Sequence, residues 1–377
     1  MENMLVVGVN TRSVACSLKK LGYTVYSADY FGVMDLRPCV DRYKSILSQE
    51  PYQSCGKFTE NFNSKDIEEL TADLIHESDS IICLAGVSPD TFPKNKILGN
   101  KSVEDVDDKY LLYKKLEGKF NFPLTFNVSD IGEAGEIAAN YPEKNFIIKP
   151  RTGSGGYGIR ELGEKEDIDF TNFLLQERLT GLNLSASVLS TSSESRIILT
   201  SQQIIGDTQL CQKEPYGYCG NIAPLTDGNI AREVSETAEE IIDYLQLAGS
   251  NGVDFILKDD ELFVVEVNPR IQGTMECAEL SLNINMVEAH IAACQGFLMD
   301  IPQPSKFTVK MIVHARERSQ VGKLDFEGVY DLPAENVIIE EGEPVVTVIS
   351  SGKVLENALY TARKLIRRVY KGLNRVI

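Results

Sequence analysis

The chain has 377 residues, 43% hydrophobic and 25% charged, which is the composition of an ordinary globular protein with room for two or three cored domains. Its 38 Lys and Arg stand against 55 Asp and Glu, a formal net charge of −17, and this disfavours nucleic acid as a partner because such binding leans on phosphate neutralisation. No apolar run approaches membrane-spanning length, and the start Met1-Glu2-Asn3-Met4 lacks a basic signal region, so a cytoplasmic protein without membrane contact is expected. The 8 cysteines are scattered without a CxxC pair and read as reduced thiols, several of them simply small core residues.

In chain order, the apolar run 4–9 is followed by a helical pattern (Val14, Leu18, Leu21) closed by Gly22, then by a strand Thr24–Ala28 ending at Asp29. This is a βαβ opening. Its turn, residues 8–13, holds one glycine of the dinucleotide fingerprint, so NAD binding has weak support and a supporting or substrate-contacting Rossmann-like unit is the better reading. A helix at about 64–78, a strand Ser80–Leu84 and a loop at Gly86–Pro89 continue the alternation. A boundary is placed near residue 103. Beyond it come a helix at 103–118, an extended Phe122–Thr125 and a helix at 129–140.

The buried strand 144–150 ends at Lys149, and Arg151–Gly158 follows with four glycines in six residues. Successive glycines let backbone N–H groups approach a polyphosphate, and Lys149 adds a positive charge beside them. The other reading is a mobile surface hairpin. It is not a Walker A loop, because no Gly-Lys-Ser/Thr follows. Strands are expected at Phe173–Glu177, Leu184–Leu189 and Arg196–Ile205, and a long amphipathic helix at 228–247.

Gly252–Leu257 and Leu262–Asn268 flank the polar run 258–261, which is a hairpin signal. Glu266 and Asn268 leave the same strand face, and pairing across the turn brings Asp254 close to Glu266. Three oxygen donors on an otherwise apolar hairpin suit a Mg²⁺ held partly by nucleotide phosphates; polar residues facing water are the alternative. A helix at 282–296, a linker at Pro302–Pro304, strands near 307–314 and 344–350 and a basic helix at 354–371 complete the chain. His290 and Cys294 share a helix face, which reads as packing rather than a zinc site.

Taken together, these elements resemble the ATP-grasp superfamily of ligases over about residues 100–295, in the flavour of the biotin-carboxylase-related carboligases because of the ending Glu266-x-Asn268-Pro269-Arg270. The resemblance implies an α/β chain with an α+β ATP-grasp core: a Rossmann-like domain at 1–102, an ATP-grasp domain at 103–300 (small lobe 103–180, metal-binding lobe 181–300) and a small α+β domain at 301–377. It implies that Lys109 and Lys149 hold the nucleotide phosphates and that Gly153, Ser154, Gly155 and Gly156 form a lid over them. Gln176, Glu177 and Leu179 match the hinge that holds adenine. Asn183 stands where many members carry an acid for the ribose hydroxyls, and an amide can still accept a hydrogen bond there. Asp254, Glu266 and Asn268 match the magnesium ligands, and Arg270 an arginine facing the developing acyl phosphate or the substrate carboxylate; Arg270 and Lys149 are the catalytic candidates.

The implied cofactors are ATP and two Mg²⁺ ions, with Mn²⁺ admissible in their place. The implied reaction joins a small-molecule carboxylate to an amine through an acyl phosphate, with ADP and phosphate released. A small-molecule kinase and a non-catalytic ATP-binding protein are the alternatives on the same fold. Substrate choice is expected at the 8–13 turn, the 86–89 loop, the 213–224 segment and the residues after Arg270, and a homodimer is allowed by analogy alone.

Overall fold

In the computed structural model, residues 2–163 and 169–376 are described. The opening βαβ pattern becomes a parallel sheet in which Arg42–Ser45, Thr24–Asp29, Asn3–Gly8 and Ser80–Cys83 lie in that order. Asn3–Gly8 has Thr24–Asp29 on one side and Ser80–Cys83 on the other. The strand order therefore reverses at its carboxyl end, where α/β sheets leave a crevice. Gly22 adopts φ +88 after the helix Arg12–Lys20, the left-handed stop that its position foretold.

A second sheet of eight antiparallel strands runs in the order Glu261–Asn268, Gly249–Lys258, Leu182–Ser190, Ser195–Ile205, Tyr218–Ala223, Phe307–His314, Pro344–Gly352 and Val329–Tyr330. The sheet thus continues across residue 301: Ile222 pairs with Val309, so the last fifth of the chain shares a ladder with the sheet that holds the Asp254–Glu266 hairpin. A smaller antiparallel sheet holds Thr125–Phe126, Phe173–Glu177, Phe146–Pro150 and Arg160–Glu161. The long helix Gly228–Leu245 buries Val234, Ala238, Ile241 and Ile242 against Leu184, Val188, Val253 and Val264, which covers one face of the large sheet and leaves the other to the site.

Two expected helices are broken where a polar side chain competes for the backbone. The span 103–118 divides into Glu104–Asp107 and Lys109–Leu116, because the Asp108 carboxylate accepts from the N–H groups of Tyr110 and Leu111 and so caps a new helix. The span 64–78 divides at Thr71, whose hydroxyl donates to the Glu68 carbonyl. The helix expected at 282–296 forms as Met286–Cys294, capped by Asn285, and an unforeseen helix Met275–Leu282 precedes it, ended by Asn283 at φ 55. The reading of all cysteines as free is corrected: Cys16 and Cys39 form a disulfide with Cα atoms 4.7 Å apart. They lie 23 residues apart in the chain, and only the packing of the helix Arg12–Lys20 on the turn Met34–Cys39 brings them together. Among the described residues no helix is long and apolar enough to cross a membrane.

The Leu98–Asn100 connection is tied to the large sheet by buried polar groups. His290 accepts the Ser250 N–H on Nδ1 at 2.8 Å and meets the Leu98 carbonyl with Nε2 at 3.3 Å, while Asn100 bridges Asn251 and the Pro269 carbonyl. Cys294 lies 3.7 Å from the same ring, so the shared helix face packs onto Gly249 rather than holding zinc. Burial lowers His290 from 6.5 to about 4. A ring held neutral in the native state and free to charge when unfolded adds stability that is present above the unfolded value and is lost as pH falls from 6.5 toward 4. Its share is roughly 3 kcal/mol. Asp29, pushed up to about 6 by burial, acts in the opposite sense over that range. The clean measurement is therefore a difference: urea unfolding at pH 7 and pH 4.5 should show a smaller acid loss for His290→Gln than for the parent, and equal losses would remove the ring from the account.

Candidate active site

The hairpin register sets the chemistry. Asp254 pairs directly with Glu266 and Gly252 with Asn268, so the two carboxylates and the amide project from one patch of the sheet. Two carboxylates side by side in a buried place repel and lose hydration together. Burial and then Glu266 push Asp254 up to about 6. Burial works against the Glu266 carboxylate too, but Lys109, Lys149 and Arg270 together hold it below its ordinary value. Those cations come from three separate parts of the chain.

Lys109 opens the helix Lys109–Leu116 and is buried, with its ammonium 3.4 Å from Glu266 and donating to the Gly153 carbonyl at 3.0 Å. Its placement depends on the break at Asp108, whose carboxylate also holds Arg151 at 2.9 Å, while the Lys109 N–H donates to the Arg151 carbonyl. Lys149 is buried at the end of its strand, donating to Gln176 Oε1 at 3.4 Å and the Val265 carbonyl at 3.5 Å. Burial and then the neighbouring Lys109 lower it to about 8, and an anion arriving between the two lysines would raise it again. Arg270 donates to Asn268 Oδ1 at 2.8 Å, and Asn268 Nδ2 donates to Asp254 at 3.1 Å. In this state the amide that was expected to ligate a cation bridges an arginine and a carboxylate.

Lys109, Lys149, Gly153, Ser154, Gly155, Gly156, Gln176, Glu177, Leu179, Asn183, Asp254, Glu266, Asn268 and Arg270 all border one cleft of about 540 Å³ between the small sheet and the large one. The Glu177 side chain is committed to Lys144 at 2.6 Å and to the Leu124 N–H, so it holds the hinge strand itself in place. Gln176 bridges Lys149 and Thr125. Besides the Lys109 bond to Gly153, the glycine loop is docked at Tyr216 and Tyr218. Gly155 accepts from the Tyr218 N–H at 3.0 Å, and Gly156, at φ +80, lies so close to Tyr216 that an added Cβ would fall 1.8 Å from its carbonyl oxygen.

Some residues of the cleft carried no signal in the sequence. Ser185 donates to Asp254 at 2.7 Å, and Gln272 meets Ser187 at 2.8 Å and Ser185 at 3.4 Å. Gly252 leaves the space Gln272 occupies, since a Cβ there would sit 1.6 Å from its amide nitrogen. Asp107, near Arg270 and Lys109 but not bordering the cleft, is pushed up to about 6 by burial against their pull. A serine in a strand is common; only the fold aims Ser185 at Asp254.

The cleft opens into a second cavity of about 340 Å³, the two sharing Ala85, Ser154, Gly155, Tyr157, Tyr218, Arg270, Gln272 and Gly273. This chamber is walled by Val9, Asn10, Arg12 and Ser13 of the 8–13 turn, by Tyr218 of the 213–224 segment and by the residues after Arg270. The 86–89 loop does not border it; the preceding Leu84 and Ala85 do, at the sheet's reversal point. Unforeseen were its residues from beyond 301, Lys310, Asp331, Glu343 and Thr347 among them.

The donor set fits a magnesium nucleotide. Two carboxylates and an amide on one sheet face form a partial oxygen shell, and two buried lysines stand beside a glycine loop. Among the described residues no group of three or more His, Cys, Asp or Glu forms a metal cage of its own. Fold and site together define a nucleotide-dependent phosphoryl-transfer protein. The chain belongs to the ATP-grasp family: the ATP-grasp domain model matches residues 106–274. It is 32% identical over 374 residues to the Methanocaldococcus jannaschii protein MJ0776, spanning 94% of this chain and 90% of that one. It is 24% identical over 182 residues to the tyramine–L-glutamate ligase of the same organism, covering 48% of this chain and about half, 49%, of that one. The fold matches the biotin carboxylase domain of Hydrogenobacter thermophilus 2-oxoglutarate carboxylase, solved as a dimer with MgADP and bicarbonate, with a TM-score of 0.70 at 14% identity over 98% of this chain and 90% of that one.

Undocking the glycine loop gives a direct test of its geometry. Gly156→Ala is expected to speed tryptic cleavage after Arg151 several-fold while leaving the thermal midpoint nearly unchanged, since the loop's contacts are few. Parent-like cleavage would mean that the Tyr216 approach does not hold the loop.

Proposed function

We propose that the protein is an ATP-dependent carboxylate–amine ligase, acting in the cytoplasm on small molecules. The observation that carries this reading is the convergence of Lys109, Lys149, Arg270 and the Asp254–Glu266 pair in one cleft that opens directly into a second chamber. A kinase needs room for one acceptor; a cleft continuous with a three-sided chamber offers room for both an acid and a nucleophile. The relative named as a tyramine–L-glutamate ligase joins the same kinds of partner.

Lys109 and Lys149 would hold the β- and γ-phosphates, and the amides of Gly153, Ser154, Gly155 and Gly156 would close over them. Leu179, after the braced Gln176–Glu177 strand, would contact the adenine, and Asn183 a ribose hydroxyl. Asp254, Glu266 and Asn268 would hold two Mg²⁺ ions, or Mn²⁺, which supply Lewis-acid neutralisation of the phosphate charge when bound. For Asn268 this requires its oxygen to exchange Arg270 for the cation, which frees the guanidinium to face the substrate carboxylate. Arg270 then stabilises charge in the in-line transfer that makes the acyl phosphate, and the docked loop keeps water from it until the amine attacks. The functional units proposed are residues 1–102, 103–300 and 301–377, the last two sharing one sheet across residue 301, and a homodimer is the assembly proposed by analogy.

The test is ADP release on incubation with Mg-ATP, candidate acids and amines. Glu266→Ala is expected to reduce release to about one-hundredth or less while circular dichroism and the thermal midpoint stay near the parent's. Turnover surviving that change would overturn the metal assignment, and a stable phosphorylated product accumulating without any amine would identify a kinase instead.

A further inference from the structure

The site occupies one face of the eight-stranded sheet, and the opposite face carries a charge pattern that the nucleotide chemistry does not use. Leu184 pairs with Gln202, Gln202 with Ile222 and Ile222 with Val309, and residues directly opposite in a ladder share a face. Leu184 packs under the helix Gly228–Leu245, and Val309 packs under the last helix, Leu355–Lys371, against its buried Ala358, Ala362, Ile366 and Val369. Both helices therefore lie on the same side of the sheet, away from Asp254 and Lys310, which alternate with the packed positions. The first covers Leu182–Ser190 and Ser195–Ile205, the second Phe307–His314 and Pro344–Gly352. Tyr218–Ala223 lies between these strand pairs, and its half-buried Ile222 floors a shallow groove between the helices.

The outer faces of the two helices carry opposite charge. On Gly228–Leu245 the exposed Glu233, Glu236 and Glu240 stand across from the buried Val234, Ala238 and Ile241. On Leu355–Lys371 the exposed stripe is Tyr360, Lys364, Arg367 and Lys371, spaced at i, i+4, i+7 and i+11. Neighbouring charges are engaged within the chain: Arg368 lies over the Phe326 ring at 3.6 Å, and Glu239 accepts the Ile197 N–H at 2.6 Å. Among the described residues the six charges of the two stripes have no ion-pair partner. Tyr360, 69% exposed, gives the basic stripe an aromatic surface of the kind that interfaces favour.

We infer that this face is where two copies of the chain meet, about a two-fold axis lying along the groove, the basic helix of each copy resting against the acidic helix of the other. Rotation about that axis exchanges the two sides of the groove and sets unlike charges together at both contacts. An axis running across the groove would set glutamate against glutamate. Helices about 26 Å long whose axes lie about 14 Å apart present about 600 Å² per copy, the lower end of a stable interface. An acidic lipid surface would meet Glu233, Glu236 and Glu240 beside the basic stripe, and their like charge opposes it. The face supplies the surface for the homodimer proposed above, depends on the ligase reading for nothing else, and leaves the nucleotide cleft open on the other side of the sheet.

Sedimentation equilibrium of the full chain at about 20 μM and low salt provides the test. The parent is expected at twice the chain mass. The pairs Lys364→Glu with Arg367→Glu, and Glu236→Lys with Glu240→Lys, are each expected to raise the dimer dissociation constant at least about tenfold. Glu and Lys are both good helix formers, so circular dichroism and Mg-ADP binding should stay at the parent's values. Mixed in equal amounts, the two variants are expected to recover the parent's affinity as a heterodimer, because each contact again joins acid to base. A damaged fold would not recover on mixing. Variants that stay dimeric, or that dissociate without recovery on mixing, remove this face from the interface while leaving a homodimer in place. A monomeric parent overturns both the face and the homodimer, and its flotation with phosphatidylserine vesicles would assign the basic helix to a membrane. Failure of the parent to bind Mg-ADP strikes the nucleotide reading alone.

Discussion

The pairing of Asp254 with Glu266 across the hairpin is the constraint on which the site depends. Two carboxylates in that register cannot both be ionised away from water unless positive charge is brought to them. Lys109 from a helix start, Lys149 from the end of a strand in the other sheet and Arg270 from the turn after the hairpin supply it. Each cation is in turn held by something local: Lys109 by the break at Asp108, Lys149 by Gln176, Arg270 by Asn268. The cluster is therefore a junction between two sheets, with the cleft lying between them.

A second charged junction joins the ends of the chain. Arg12 follows the first strand's turn, Glu276 lies in the helix after Arg270, and Lys310 and Asp331 come from beyond residue 301. Against the cost of burial, Lys310 and Arg12 keep Glu276 below its usual value, and Arg12 keeps Asp331 well below. Backbone contacts strengthen the joint: Asp35 accepts from the N–H groups of Asp331 and Leu332, and the Met34 N–H donates to the Leu332 carbonyl at 2.7 Å. The Cys16–Cys39 bridge fastens the two elements that carry Arg12 and Asp35. Because this junction walls the chamber, the elements that hold the chain's ends together also decide what the chamber can accept.

The mouth between the two cavities lies where three loops meet. The reversal point of the parallel sheet brings Ala85, the glycine loop brings Ser154 and Gly155, and the segment after the hairpin brings Arg270–Gly273. Tyr218 stands among them, its hydroxyl donating to Asn221 and its N–H to Gly155. Loop position and substrate access are thus coupled through one residue of a strand that is otherwise part of the sheet.

Much of this was legible in the amino-acid order. Alternation and glycine placement marked the βαβ opening, the hairpin and the loop after Lys149, because period, turn chemistry and φ > 0 are properties of a few neighbouring residues. The spacing of Glu266 and Asn268 already put both on one face. What the order of residues could not show was each choice settled by distant partners. Asp108 as a cap rather than a helix interior, Ser185 and Gln272 around Asp254, the disulfide, and the ladder from Ile222 to Val309 are instances. The chamber is the plainest case. Arg12, Glu276, Lys310 and Asp331 are unremarkable charged residues in the sequence, spread over 319 positions from Arg12 to Asp331. Only burial against one another makes them a matched set, since the energy of a charge depends on its partners and its distance from water, and both belong to the tertiary structure.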